Sequence, residues 1–159
     1  EYEGYILDLW LRSRRKIGLW LQGQFLLGIL VGVLVFLGLT ILGVKYALLL
    51  AILTAIFEVI PVFGPVMAAI PAVGLAFLQK PVLGLSVLVL YFIVQQFENH
   101  LIYPLVVRKT IGVPPLLVVL ALVIGGTLGG FFGLLLSVPI AAVLVEVVND
   151  IARKKEIEL

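Results

Sequence analysis

The chain has 159 residues, of which 63% are hydrophobic and 13% charged, with a net charge of +2 and a mean hydropathy of +1.27. Water-soluble domains are typically about 45–50% apolar and about 25% charged, and no soluble fold of this size has enough interior to hide so much hydrocarbon. The composition is that of a membrane protein; the charge is too small to favour nucleic acid, and the absence of cysteine excludes disulfides and thiolate metal sites.

Residues 1–16 place Tyr2, Tyr5, Ile6 and Leu9 at helical spacing, with Trp10 and Leu11 beside them and Arg12, Arg14, Arg15 and Lys16 following. Aromatic and basic residues in that order suit an amphipathic helix at a membrane interface, closing a soluble or linker region. Ile17 to Val44 then carries no charge. These roughly 28 residues, at about 1.5 Å each, exceed the ~30 Å of a bilayer core. Gly28 and Gly32 form a GxxxG within this span, a pattern that admits a close neighbour but is also common in such helices.

Lys45 and Tyr46 mark the far interface. Two short apolar stretches follow, Ala47 to Ile60 and Val66 to Leu78, separated by Pro61-Val62-Phe63-Gly64-Pro65. Two prolines and a glycine in five residues cannot continue a regular helix, because proline lacks an amide donor and crowds the preceding turn. The stretch is either a hairpin with a tight cytoplasmic turn or a re-entrant pair with its tip inside the protein. Glu58 favours the second reading, since a lone carboxyl at membrane depth is costly and usually functional. If the tip reaches water, Glu58 is an ordinary interfacial acid.

Gln79-Lys80-Pro81 returns the chain to an interface, and Val82 to about Val107 forms the next span. Within it Gln95, Gln96, Glu98, Asn99 and His100 form a polar cluster between apolar flanks. Gln95, Glu98 and Asn99 share one helical face, with Tyr91 a turn earlier, and Gln96 and His100 point elsewhere. A carboxylate flanked by amides can bind a cation or proton or anchor a polar solute. The competing reading is a static polar clasp between helices. His100 is more simply an interfacial histidine bonded to a neighbour than a proton relay.

Arg108 and Lys109 end that span, and Thr110 to Pro115 is turn-like. Leu116 to Glu146 is again apolar but is split by Gly125-Gly126-Thr127-Leu128-Gly129-Gly130, a candidate helix-packing site, with Pro139 further on. Residues 17–150 thus read as a transmembrane domain and residues 151–159 as a charged tail. Arg12, Arg14, Arg15, Lys16, Arg108, Lys109, Arg153, Lys154 and Lys155 fall on one side, and only Lys45 and Lys80 on the other. The positive-inside rule makes the first side cytoplasmic. Two broken segments entering from opposite sides is a layout used by transporters.

There is no P-loop, HExxH or GxSxG, and a single histidine makes a histidine-based metal site or triad improbable. No enzyme, cofactor or metal is expected. The stretches FEVIPVFGPVMAAIPA, YFIVQQFENHLIYPLVVRKTIGVPPLLVVLALVIGG and GFFGLLLSVPIAAVL, in this order, resemble the C-terminal half of the AI-2E family of transporters, named for export of the quorum-sensing signal autoinducer-2. The resemblance covers roughly Lys45 to Leu144. It implies a multi-pass inner-membrane protein of about eight spans with cytoplasmic termini, of which this chain lacks the first few. Functional positions carried over are Glu58, Pro61, Gly64, Pro65, Gln95, Gln96, Glu98, Asn99 and Pro104.

The resulting expectation is an all-α transmembrane bundle with an interfacial helix and two broken hairpins. It would export a small polar solute by alternating access, with Pro61, Gly64 and Pro65 as the gate and Glu58, Gln95, Glu98 and Asn99 along the path. Sodium or lithium/proton antiport is the alternative within transport, and a membrane scaffold module the alternative outside it. Gly125, Gly126, Gly129 and Gly130 would serve helix packing, and self-association as a homo-oligomer suits such glycine faces.

Overall fold

The computed structural model describes residues 2–102, 105 and 114–157. Every regular element among them is helical: α1 (Tyr2–Ile41), α2 (Ala47–Phe57), α3 (Phe63–Gln79), α4 (Pro81–Phe97) with a π-helical turn (Glu98–Ile102), and α5 (Pro115–Ile157). Pro104, Arg108, Lys109 and the turn at 110–113 lie outside the described residues. By length and composition, three helical stretches suffice to cross a membrane, Trp10–Ile41, Pro81–Ile102 and Leu116–Asp150, the last of them interrupted at Gly130. Large apolar side chains such as Ile41, Leu78, Leu128 and Phe132 are mostly exposed, which hydrocarbon tolerates and water does not. The all-α membrane fold expected from composition is the fold observed.

The chain divides into two compact units, Gln22–Lys109 and the pair Glu1–Leu21 with Thr110–Leu159. α1 contributes its first part to one and the remainder to the other, and it shows no break at residue 16, where the interfacial segment was expected to give way to the span.

In the first of these units, small residues set the packing. Gly28 and Gly32 of α1 lie against Ala51 and Ala55 of α2; a methyl at Gly28 would sit 2.7 Å from the Ala55 carbonyl oxygen. The GxxxG is therefore a real contact here. Gly64, Ala68, Ala72 and Ala76 form a buried stripe along α3, which packs on both α2 and α4. α2 has 11 residues and α3 has 17, about 16 and 25 Å at ~1.5 Å per residue, each short of a full crossing. Their connection is the expected break. Val62 has φ 69° and ψ −50°, and the Phe63 amide donates to the Pro61 carbonyl at 2.8 Å. This is a γ-turn centred on a β-branched residue at positive φ, a strained conformation. Lys80 is extended and Pro81 opens α4, where its missing amide costs nothing.

The second unit is built on α5, whose helical path is interrupted at Gly130 (φ 55°, ψ −132°). The arms on either side fold back together: Gly125 abuts the Gly133 backbone, and Leu134 covers Gly126. A groove of about 650 Å³ lies between the arms, lined chiefly by leucine, isoleucine and alanine. Arg12 bonds Asp150 at 3.1 Å and Glu146 at 3.5 Å, and Lys16 also pairs with Glu146. The first basic cluster is thus partly consumed by acids that the sequence placed next to the charged tail.

Candidate functional site

The polar side chains of the Gln22–Lys109 unit converge on the broken hairpin. α2 carries Thr54 and, one turn later at its C-terminal boundary, Glu58; both face inward because the other faces of this helix are apolar. Glu58 is completely buried. Its carboxyl is enclosed by protein, although Val62 and Phe63 at the tip are exposed. α4 contributes Tyr91 and, seven residues on, Glu98, which is 5% exposed. The Thr54 hydroxyl donates to the Leu50 carbonyl and also shares a 2.8 Å bond with the Tyr91 hydroxyl, so one hydroxyl ties the two helices together.

Beyond this tie the Glu58 and Glu98 carboxyls come within interaction range of each other. Neither Glu58 oxygen receives a hydrogen bond from a protein donor. Two neighbouring carboxyls with no protein donor between them can be bridged by a proton, a cation or a water. The ion pairs of Arg12 and Lys16 with Glu146 and Asp150 do not reach either acid. Glu98 is held from the other side by the Gln95 amide at 3.1 Å, which also approaches the Asn99 oxygen at 3.5 Å.

The helix that was expected to continue to about Val107 changes at Glu98 into a π-helical turn. A π turn inserts an extra residue per turn and re-aims the side chains on it; such turns recur at functional sites. Here it leaves Glu98 buried while Asn99 and His100 are exposed. The structure therefore joins Gln95, Glu98 and Asn99 by hydrogen bonds but puts Asn99 at the outer edge of the group. His100 bonds the Gln96 carbonyl at 2.9 Å on the exposed side, the bland alternative to a proton relay.

The residues expected to form a gate are also placed. Pro61 lies in the break, and Gly64 and Pro65 are buried in the first turn of α3. A side chain on Gly64 would run into the Phe57 carbonyl, so glycine is required for the hairpin arms to meet. In the other unit, Gly125 and Gly126 make contacts across the second hairpin, whereas a methyl added at Gly129 or Gly130 would meet nothing among the described residues.

In the Gln22–Lys109 unit, two buried polar residues escaped the sequence reading. Gln24 of α1 is 1% exposed and donates from Nε2 to the Glu58 main-chain carbonyl at 2.9 Å. Thr54, equally buried, makes the Tyr91 tie. The available signal for Gln24 was its spacing: with Gly28 and Gly32 it forms one i, i+4, i+8 stripe. Among the described residues no group of three or more acidic or histidine side chains that could hold a metal is found.

The chain is similar to several bacterial proteins. It is 39% identical to a Bacillus subtilis protein named "Putative transport protein YueF" over 83% of the chain and 36% of that protein. It is 34% identical to "Putative transport protein YrrI" of the same organism over 81% of the chain and 36% of that protein. It is 31% identical to the Escherichia coli "Putative permease PerM" over 89% of the chain and 41% of that protein. The chain thus spans well under half the length of these relatives. No solved structure matches it. The pattern described as "AI-2E family transporter" matches residues 1–153, and with that coverage the chain belongs to the AI-2E transporter family.

Proposed function

We propose that this chain forms part of a secondary membrane transporter in which Glu58 and Glu98 act as one ion-responsive unit. The observation that carries the reading is the buried Glu58 carboxyl, without a protein donor, facing a second buried acid at the tip of a broken hairpin. Two carboxyls in this setting are costly to keep apart from any cation, and such groups in membranes mark ion or substrate paths. Relatives bearing the names transport protein and permease support the transport class.

In the leading version, a small polar solute of the autoinducer-2 type is exported by alternating access. The strained turn at Val62 flexes as the gate, and the Gln95, Glu98 and Asn99 group lines the path. Binding or loss of a proton or monovalent cation between Glu58 and Glu98 changes the cost of keeping the tip closed. The facing acids also favour a second version, sodium or lithium/proton antiport, in which the pair itself is the transported ion's site. In both versions the basic ends face the cytoplasm, as the positive-inside rule expects, and the protein works as a homo-oligomer.

The test is flux through purified full-length protein in liposomes, wild type against Glu98→Gln, under sodium or proton gradients and with autoinducer-2 among the solutes. Ion-for-proton exchange lost in the variant selects the antiporter. Solute movement altered by the variant without obligatory exchange selects the exporter. No flux of any kind from correctly inserted wild type overturns transport in favour of a scaffold.

A further inference from the structure

We infer that Gln24 is a positioning residue that holds the hairpin break closed around Glu58; the functional weight of the inference rests on the transport reading of Glu58. In an uninterrupted helix the Glu58 carbonyl would accept the amide of Val62. Val62 instead turns to positive φ, and the neighbouring carbonyls are used locally: Phe57 accepts Ile60, Ile60 accepts Gly64 and Pro61 accepts Phe63. The Glu58 carbonyl is left to the Gln24 side chain, which supplies from a neighbouring helix the donor that the break removed. Backbone groups freed at membrane depth need such a partner.

The surrounding sequence is shaped for this contact. Gly28 and Gly32, on the same face of α1, bring it against the Ala55 carbonyl and the Glu58 Cβ, so the amide one turn earlier reaches the end of α2. Gln24 Oε1 is buried and has no protein partner, as is true of both Glu58 carboxyl oxygens. A residue serving only to fill space would not need an amide here, since a methionine fills the same volume. An opening of the break that carries Glu58 outward must first release the Gln24 bond. Gln24 thereby sets how readily the hairpin opens.

The experiment uses thiol accessibility. The 159 residues contain no cysteine, so Ile60→Cys, at a position 1% exposed beside the break, reports opening once any cysteine elsewhere in the full-length protein is replaced. N-ethylmaleimide is the probe. Gln24→Met is expected to speed modification by at least roughly fivefold, the factor one hydrogen bond lends to a local opening equilibrium. Gln24→Asn, which keeps the amide but retracts it, is expected to do the same and serves if the methionine variant does not fold. Gln22→Met, at an exposed position two residues away, should leave the rate unchanged. A cysteine at buried Ala72, on α3, should also be unaffected, which separates local opening from general loosening. Equal Ile60→Cys rates with and without the Gln24 amide, or parallel increases at Ala72→Cys, would overturn the inference. Flux separates it from the reading beneath it: if Glu58→Gln transports normally, the role of Glu58 fails while the labelling result stands.

Discussion

The two broken hairpins solve the same geometric problem with different chemistry. In the first, α2 and α3 meet at a turn made by Pro61 and a strained Val62, with a fully buried Glu58 beside it. In the second, α5 turns at Gly130, a residue for which positive φ is free of strain, and the groove between its arms is lined almost wholly by apolar side chains. A chain that needed only a turn could have used glycine twice. The first hairpin holds both backbone strain and an unsatisfied acid, and such costs persist where function requires them. On the transport reading proposed above, chemistry falls to the first hairpin and packing to the second.

The sharpest way to break this contrast is to exchange polar for neutral groups at the first hairpin. Glu58→Gln and Glu98→Gln are each expected to lower flux by roughly tenfold or more, as for loss of an interaction made only in the working cycle, with insertion intact. Ser137→Ala, in the second hairpin, should leave flux within about twofold, because the hydroxyl only bonds the Gly133 carbonyl of its own helix. A large effect of Ser137→Ala would erase the distinction.

Packing gives the next largest effects. Gly64→Val should destabilise the hairpin by about 1–3 kcal/mol or prevent its closure, because the new side chain meets the Phe57 backbone. Gly74→Ala, in the same helix but with nothing near its Cβ position, should be neutral or stabilising by up to about 1 kcal/mol. Thermal unfolding in detergent reads both.

At the two turns the predicted signs are opposite. Gly130→Ala forces an alanine to positive φ and should cost about 1–2 kcal/mol. Val62→Gly relieves strain and should be close to neutral or slightly stabilising in the same assay, while changing the rate of gating. The smallest effect is expected for Tyr91→Phe. Losing its bond to Thr54 should cost about 0.5–1.5 kcal/mol and reduce flux only modestly.

Much of this was legible in the sequence. Hydrophobic length marked the apolar stretches, though not their bounds, and Pro61, Gly64 and Pro65 marked the first break because their backbone chemistry is local. Glu58 and Glu98 stood out as acids within apolar surroundings. Their meeting was not legible, because it depends on how α2 and α4 pack through Thr54 and Tyr91. The π turn at Glu98 left no compositional mark either. Gln24 was hidden by its neutrality: a search for charge in the first span passes over an amide. At the second break the glycine run announced a turn, yet its contact is Gly125 with Gly133 across the hairpin, a pairing that a GxxxG spacing does not contain.

The central claim is that Glu58 and Glu98 work as one unit, and a double-mutant cycle on flux in liposomes tests it most directly. Glu58→Gln, Glu98→Gln and the double variant would be compared with wild type at matched insertion. The account predicts that the double variant is about as impaired as the worse single one, because removing either acid already disables the pair. Independent, multiplicative losses would contradict it and return the two acids to separate roles.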